Sequence, residues 1–579
     1  MNILRVASML LAAMTALALH AGPDDRARVT ALADRYVDEY QKSFPVSFAF
    51  SGLPVKRNDG VDINSPEDVA RWHTLMKGMA GELAAIRPDG FAEQPEWVTW
   101  QFLDHAFKQD KSTTACRNEL WNVSALGWQA GLPQVASIQP VGTDEERAQA
   151  LSRWREFAPW IDREIANLKE GQRLGYSASE AAVRSTLSQL DELLMRQPGD
   201  SPLMDPTTRD KTPAFAVAWK QVIEGSLWPA ITRYRDYLRN EYLPHARKSP
   251  SLDGMPDGRN CYRALVFATT TVDVDPDALF ELAQKEVERE RKVAVDLGRK
   301  LFGDKVTDWK SLGDVIRADP HERFATADEI RDFTQQVYER AFAAAGKMVL
   351  TPPVGKVVLE PFPEFQQATA PAGQYLPAAD DGSRPATYLY GNVPSNIYRT
   401  SLESVILHET LPGHHLQIAF LAEHGRKANH PLARLLYFSG PGEGWATYAE
   451  DFAYEIGLYD SDRDYIGRAF GSIAPWMVLD LGMQVKGWTM EQALKYAIEA
   501  RPLRSPDQVK ETVALISSLP GFVISYPLGG MQWHEMRKRA EARLGTKFDV
   551  RAFHQVLLED GMLPFSALNE KLDRWIASQ

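Results

Sequence analysis

Between residues 408 and 415 the chain reads His408-Glu409-Thr410-Leu411-Pro412-Gly413-His414-His415, so three of its 12 histidines and one carboxylate fall in one short stretch. Imidazole and carboxylate are the donors of a catalytic zinc site, which takes three protein ligands and keeps one position open. A glutamate beside the first histidine is where a metallopeptidase carries its general base, and the usual helix places its two histidines at i and i+4. Here the spacing is longer: His414 follows His408 by six residues (414 − 408) and His415 by seven (415 − 408). On a straight helix His415 shares a face with His408 but sits about 10 Å along it, and His414 lies about 9 Å along on a different face. Two nitrogens on one tetrahedral zinc are only about 3.3 Å apart. A straight helix therefore joins neither pair. Pro412 deletes a backbone donor and clashes with the His408 carbonyl, and Gly413 accepts unusual dihedrals. Together they predict a looped-out turn that draws the second histidine back. A purely structural histidine cluster in a core helix would gain nothing from Pro-Gly in its middle.

The third ligand has to come from elsewhere. Gly440-Pro441-Gly442-Glu443-Gly444-Trp445-Ala446-Thr447-Tyr448-Ala449-Glu450 is the source the sequence offers, with Glu443 at the start of a helix reached through a Gly/Pro turn. Glu450 lies on the same face two turns on, so Glu450 or Asp451 is the candidate to hold an imidazole N–H. The competing role for Glu443 is a favourable charge at a helix N-terminus, which is compatible with ligation. His408, His414 and Glu443 form the expected ligand set, with His415 as the alternative second histidine. Zinc is the expected ion, and manganese or cobalt suits the same donors.

His-Glu-x-x-Pro-Gly-His-His-x-Gln followed by Gly-Glu-Gly-Trp-Ala-x-Tyr-x-Glu resembles the bacterial family catalogued as domain of unknown function 885. The resemblance runs from about Tyr36 to the C-terminus. It takes in Leu120-Trp121, Gly127-Trp128, Ala386 to Asn392, Pro520-Gly521 with Ser525-Tyr526, and Phe553-His554 to Leu563-Pro564. The family in turn resembles the helical gluzincin peptidases of the carboxypeptidase Taq, oligopeptidase and angiotensin-converting-enzyme groups. That resemblance implies a large helical fold with a deep cleft, and short peptides as substrates. It favours His414 over His415, because a glycine precedes the second ligand in those relatives. It implies Glu409 as general base toward a zinc-activated water and Tyr526 as donor to the oxyanion; a buried packing role for Tyr526 stands beside the latter. The chain departs from those peptidases in the two extra residues between its histidines.

The surrounding elements read as mainly α. Helical periodicity covers 24–42, about 65–86, most of 96–194, 214–246, 275–301 and 326–345. Ser65-Pro66-Glu67-Asp68 and Thr326-Ala327-Asp328-Glu329 are helix starts. The tryptophans between 97 and 160 read as core. Helices resume at 401–424, 443–457, 463–485, 489–500, 506–518, 527–544, 549–559 and 565–577. Strands are expected only at 356–360 and 386–390, a small sheet just before the histidine-rich helix. The strand Ala386 to Tyr390, with Tyr388 and Tyr390, is a candidate edge for pairing with an extended substrate. Arg537 and Arg539 are candidates for a substrate carboxylate, against the plainer role of surface helix charges.

Residues 1–21 have the charge, apolar run and small residues of a secretory signal, and no Cys follows the run to suggest a bacterial lipid anchor. The Pro/Gly/Asp-rich stretch 248–259 divides a helical part, 22–255, from a metallopeptidase-like part, 256–579, the two forming one cleft. A formal net charge of −12 argues against nucleic-acid or anionic-membrane partners. No later stretch is long and apolar enough to span a bilayer. Cys116 and Cys261 can form one disulfide in an exported chain, or stay as two buried thiols. The combined reading is an exported, periplasmic or secreted, zinc metallopeptidase acting on short peptides. The alternatives are a metal-dependent amidase on a non-peptide or cell-wall amide, and a non-catalytic envelope protein with a structural metal.

Overall fold

The computed structural model describes residues 23–363, 367, 372–379, 382 and 384–579. The signal-peptide stretch, 1–21, lies outside the described residues. The fold is mainly helical with one three-stranded sheet. Among the described residues no single helix is long and apolar enough to cross a membrane.

Three long helices lie near the start of the chain: α1 (Pro23–Ser43), α2 (Pro66–Ala84) and α3 (Pro95–Thr113). Ser65 caps α2 by accepting the Asp68 N–H at 3.1 Å, with Pro66 in the first turn. That is the start its sequence encodes. Residues 123–246 build a core of their own around Trp154, Trp219 and Tyr234, containing α4 (Asp144–Arg173) and α5 (Glu180–Met195). Residues 29–107 pack into the largest core, with 324–572. The reason is legible in α3, whose fully buried Phe102 stacks on Phe438 at 5.7 Å. The Cys116–Cys261 disulfide ties the end of the α3 region to α6 (Gly258–Thr270).

The sheet has order β1-β3-β2, with β1 (Val358–Pro361) parallel and β2 (Gly373–Leu376) antiparallel to β3 (Thr387–Tyr390). β2 was not expected: four residues containing a glycine carry no alternation to read. Its presence moves β3 from the edge to the centre. Both backbone edges of β3 are paired, and Tyr388 and Tyr390 are buried. The expectation that Ala386 to Tyr390 would pair with substrate is therefore corrected, since a strand with partners on both sides has no free ladder to offer.

The helix expected at 401–424 is two helices, α7 (Arg399–Glu409) and α8 (His414–His424). Then come α9 (Ser439–Glu455) and α10 (Asp462–Gly471). The expected 463–485 helix breaks at Ser472-Ile473, before Pro475 in the first turn of the next helix. α11 (Ser525–Leu544) carries Tyr526 in its first turn.

Candidate metal centre

α7 stops at Glu409 because the chain folds back on it. Gly413 N–H donates to the Leu407 carbonyl at 3.1 Å, and His415 N–H to the Thr410 carbonyl at 3.0 Å. A Cβ on Gly413 would lie 1.8 Å from the His408 carbonyl oxygen, so only glycine fits this approach. The Leu411–Pro412 bond is cis. Trp445 of α9 ties the loop down, its indole N–H shared between the carbonyls of Pro412 (3.0 Å) and Gly413 (3.2 Å). The result is the compression the spacing required. The rings of His408 and His414 stand 5.0 Å apart and nearly perpendicular.

Glu443 completes the cluster. Its Oε2 lies 3.2 Å from His414 Nε2 and 3.7 Å from His408 Nε2, and the three ligand atoms all fall within 4.8 Å of one another. The outer nitrogens are already committed. His408 Nδ1 donates to Glu450 Oε1 at 2.8 Å, and His414 Nδ1 to Gln417 Oε1 at 3.2 Å. Each ring is thereby fixed in the tautomer that turns an Nε2 lone pair inward. Glu450 is itself held by the Ser404 hydroxyl at 2.6 Å, which accepts from Tyr459 at 3.1 Å. Two imidazoles, each oriented from behind, and one carboxylate fit a divalent ion of the zinc class.

The electrostatics show how strongly these groups are coupled. Burial opposes charge on His408, yet the carboxylates of Glu443 and Glu450 beside it outweigh it and lift its pKa well above the ordinary value. His414 is likewise raised: burial opposes, and the Glu443 charge prevails. Burial would raise Glu443, but the two imidazoles bring it down to about 2. Glu409 behaves differently. Burial lifts its carboxyl above the ordinary range against the pull of both histidines. Its Oε2 accepts the Tyr375 backbone N–H from β2 at 2.9 Å.

Close helix packing supplies Tyr526. α9 and α11 cross where glycine meets glycine. A Cβ on Gly444 would stand 2.4 Å from the Gly529 backbone, and one on Gly529 would stand 2.1 Å from the Gly440 carbonyl. This contact sets the Tyr526 ring nearly parallel to His408, centroids 6.2 Å apart. Burial, then the neighbouring charges of Glu443 and Glu409, push the Tyr526 pKa well above its ordinary value.

The structure thus brings His408, Glu409, His414, Glu443, Glu450 and Tyr526 together. Four expectations need correcting. His415 faces away, with Nε2 2.8 Å from the Gly355 carbonyl and Nδ1 3.1 Å from the Tyr375 hydroxyl; one residue past His414, it is turned about 100° off the cluster. Burial lowers its pKa, which keeps it neutral. Asp451 does not reach an imidazole of the cluster. It pairs with Arg468 at 2.5 Å and His534 at 3.1 Å, on the adjacent helix face. Arg537 is engaged by Glu455 and Glu541, each at 2.8 Å, and donates to Tyr448. Arg539 binds Asn569 at 2.7 Å. Neither arginine is left for a substrate carboxylate. Tyr388 and Tyr390 are buried in the sheet, and among the described residues the Tyr388 hydroxyl has no hydrogen-bond partner.

Sequence reasoning gave no role to Ser404, Gln417 and Tyr375. The first two were within reach, because Ser404 is four residues before His408 and Gln417 three after His414, on the ligand faces. Tyr375 gave no such signal.

Fold and site together define a mainly helical protein with a three-donor candidate metal cluster at a helix break. The chain belongs to the bacterial family of proteins of unknown function designated DUF885, whose model matches residues 45–572. Among curated proteins none matches the chain. Its fold is that of a protein from Colwellia psychrerythraea described as a "putative lipoprotein": TM-score 0.88, 21% identity, covering 96% of this chain and 100% of that one. A second such protein, of unknown function and from Shewanella oneidensis, aligns with TM-score 0.72 and 17% identity over 94% of this chain and 99% of its own.

Proposed function

We propose that this chain is an exported zinc-dependent metallopeptidase of gluzincin-like fold that hydrolyses short peptides. The observation that carries the reading is Glu409. A half-buried carboxylate, held by a strand amide and, among the described residues, not engaged by a cation of its own, stands beside three convergent ligands. A structural metal site has no use for that group. Hydrolysis does.

His408, His414 and Glu443 would hold a zinc ion, which would supply Lewis acidity toward water and toward a scissile carbonyl. Glu409 takes the proton of the attacking water on one carboxylate oxygen while the Tyr375 amide steadies the other, then passes it to the leaving amine. Tyr526 donates its O–H toward the oxyanion of the tetrahedral intermediate. Glu450 and Gln417 keep the imidazoles in register. A deep cleft around the helix break belongs to this proposal, as does the restriction to short peptides. Export is supported by the disulfide, which persists in oxidising compartments, and by the lipoprotein description of the two structural neighbours.

The test is metal analysis and product mass spectrometry on a peptide library, with wild type and Glu409→Gln. The expected result is one zinc per chain in both proteins and hydrolysis reduced about 10²- to 10⁴-fold in the variant. Equal hydrolysis by both would overturn the mechanism. Cleavage of non-peptide amides in place of peptides would move the assignment to an amidase.

A further inference from the structure

His415 is the one histidine of the motif that the cluster leaves out, and its contacts lead back to the cluster by another route. Its Nε2 lies 2.8 Å from the Gly355 carbonyl. A carbonyl only accepts, so Nε2 carries the proton and Nδ1 is the acceptor. The Tyr375 hydroxyl, 3.1 Å away, therefore donates to Nδ1. Tyr375 in turn gives its backbone N–H to Glu409 Oε2 at 2.9 Å. Three hydrogen bonds thus run from Gly355 through His415 and Tyr375 to Glu409.

Both ends of this chain are fixed. Glu423, on α8 like His415, accepts from the backbone N–H of Val354 at 2.7 Å and of Gly355 at 2.8 Å. Glu409 sits at the end of α7, against the helix break. The member with the least sheet support is β2, a four-residue edge strand paired on one side only. Its other side is held by Tyr375. The side chain grips α8 through His415, and the main chain grips Glu409.

We infer that His415 is a positioning residue for Glu409, acting through Tyr375. The imidazole fixes β2 so that a strand amide holds one carboxylate oxygen and leaves the other free for the water proton. This rests on Glu409 being the general base, as set out under Proposed function. A base displaced by a fraction of an ångström loses rate without losing substrate affinity.

The experiment is a double-mutant cycle in the full chain. The proteins are wild type, His415→Gln, His415→Asn, Tyr375→Phe, His415→Gln/Tyr375→Phe, and Glu409→Gln as control. Zinc content, kcat and KM on a cleaved peptide, and amide exchange across 373–376 are read for each. Glutamine reaches the Nε2 position and keeps the bond to Gly355, whereas asparagine reaches the Nδ1 position and can still accept from Tyr375. The expected results are one zinc per chain throughout and an unchanged KM. His415→Gln and Tyr375→Phe each lose about tenfold in kcat, the double variant is no slower than the slower single, and His415→Asn recovers most of the loss. Exchange at 373–376 accelerates in His415→Gln. Multiplying losses in the double variant, or loss of zinc in His415→Gln, would overturn the inference. Unchanged exchange at 373–376 would overturn it whether or not peptides are cleaved. Undiminished hydrolysis by Glu409→Gln would instead overturn the reading of Glu409 as base. In that case the exchange result still decides whether His415 holds β2.

Discussion

Gly413→Ala is the smallest change that should dismantle the candidate centre while leaving the fold. The added methyl would sit 1.8 Å from the His408 carbonyl oxygen and 2.5 Å from its carbon. Real Cβ contacts stay beyond 3.0 Å, so the loop and the end of α7 must separate by at least 1.2 Å (3.0 − 1.8). Nothing nearby yields easily. Thr410 to Gln417 are all buried, and the carbonyls of Pro412 and Gly413 are tied to Trp445. The strain corresponds to the upper end of overpacking, about 3 kcal/mol. The displacement falls between His408 and His414, whose ligand distances must hold to about 0.2 Å. The expected outcome is a helical, cooperatively folded protein with a lowered denaturation midpoint and zinc affinity reduced at least about a hundredfold. Competition against a calibrated chelator, with circular dichroism on the same samples, reads both. A variant that binds one zinc with wild-type affinity would refute the claim that this glycine sets the distance between the histidines.

Glu450→Ala removes the acceptor behind His408 and should weaken zinc about 10- to 100-fold. Asp451→Ala, one residue on, should leave zinc affinity unchanged but cost about 1.5–3 kcal/mol, because buried Arg468 loses one charged partner and keeps Glu290 at 2.6 Å; chelator competition and denaturant titration separate the two. His554 gives a pH prediction. Burial lowers its pKa to about 3, while it accepts from Tyr448 at 2.8 Å and donates to the Met348 carbonyl at 2.8 Å. The unfolded chain binds this proton below about 6.5 and the folded chain does not. The stability it contributes is therefore present above that pH and lost as pH falls toward 3, by about 5 kcal/mol over the window. Chemical denaturation of wild type and His554→Gln from pH 7 to 4 should show a shallower acid slope in the variant, and parallel slopes would contradict the assignment.

Much of the site was written in the local sequence. The spacing of His408 and His414 forbade a straight helix, and Pro412-Gly413 marked where it had to break. Glu443 and Glu450, seven residues apart, had to share a helix face and so could serve as ligand and support. Those inferences rest on helix geometry and on the covalent limits of proline and glycine, which act within a few residues. The helix starts at Ser65 and Thr326 were legible for the same reason: each cap meets an amide three residues on.

What lay beyond a few residues was decided by packing. Choosing His414 over His415 needed Trp445 to pull the loop against α9. The approach of Tyr526 needed two glycine-lined helix faces, 440–444 and 529–530, to meet. The strand expected to offer an edge became the centre because a four-residue strand, invisible to periodicity, paired beside it. Arg537 and Asp451 had the chemistry to serve the site and found partners elsewhere. Sequence determined which donors exist and what their own helices allow. Only the tertiary structure decided which of them face one another, because that depends on close approaches between segments far apart in the chain, where one methyl group at Gly413 or Gly529 decides whether the backbones can meet.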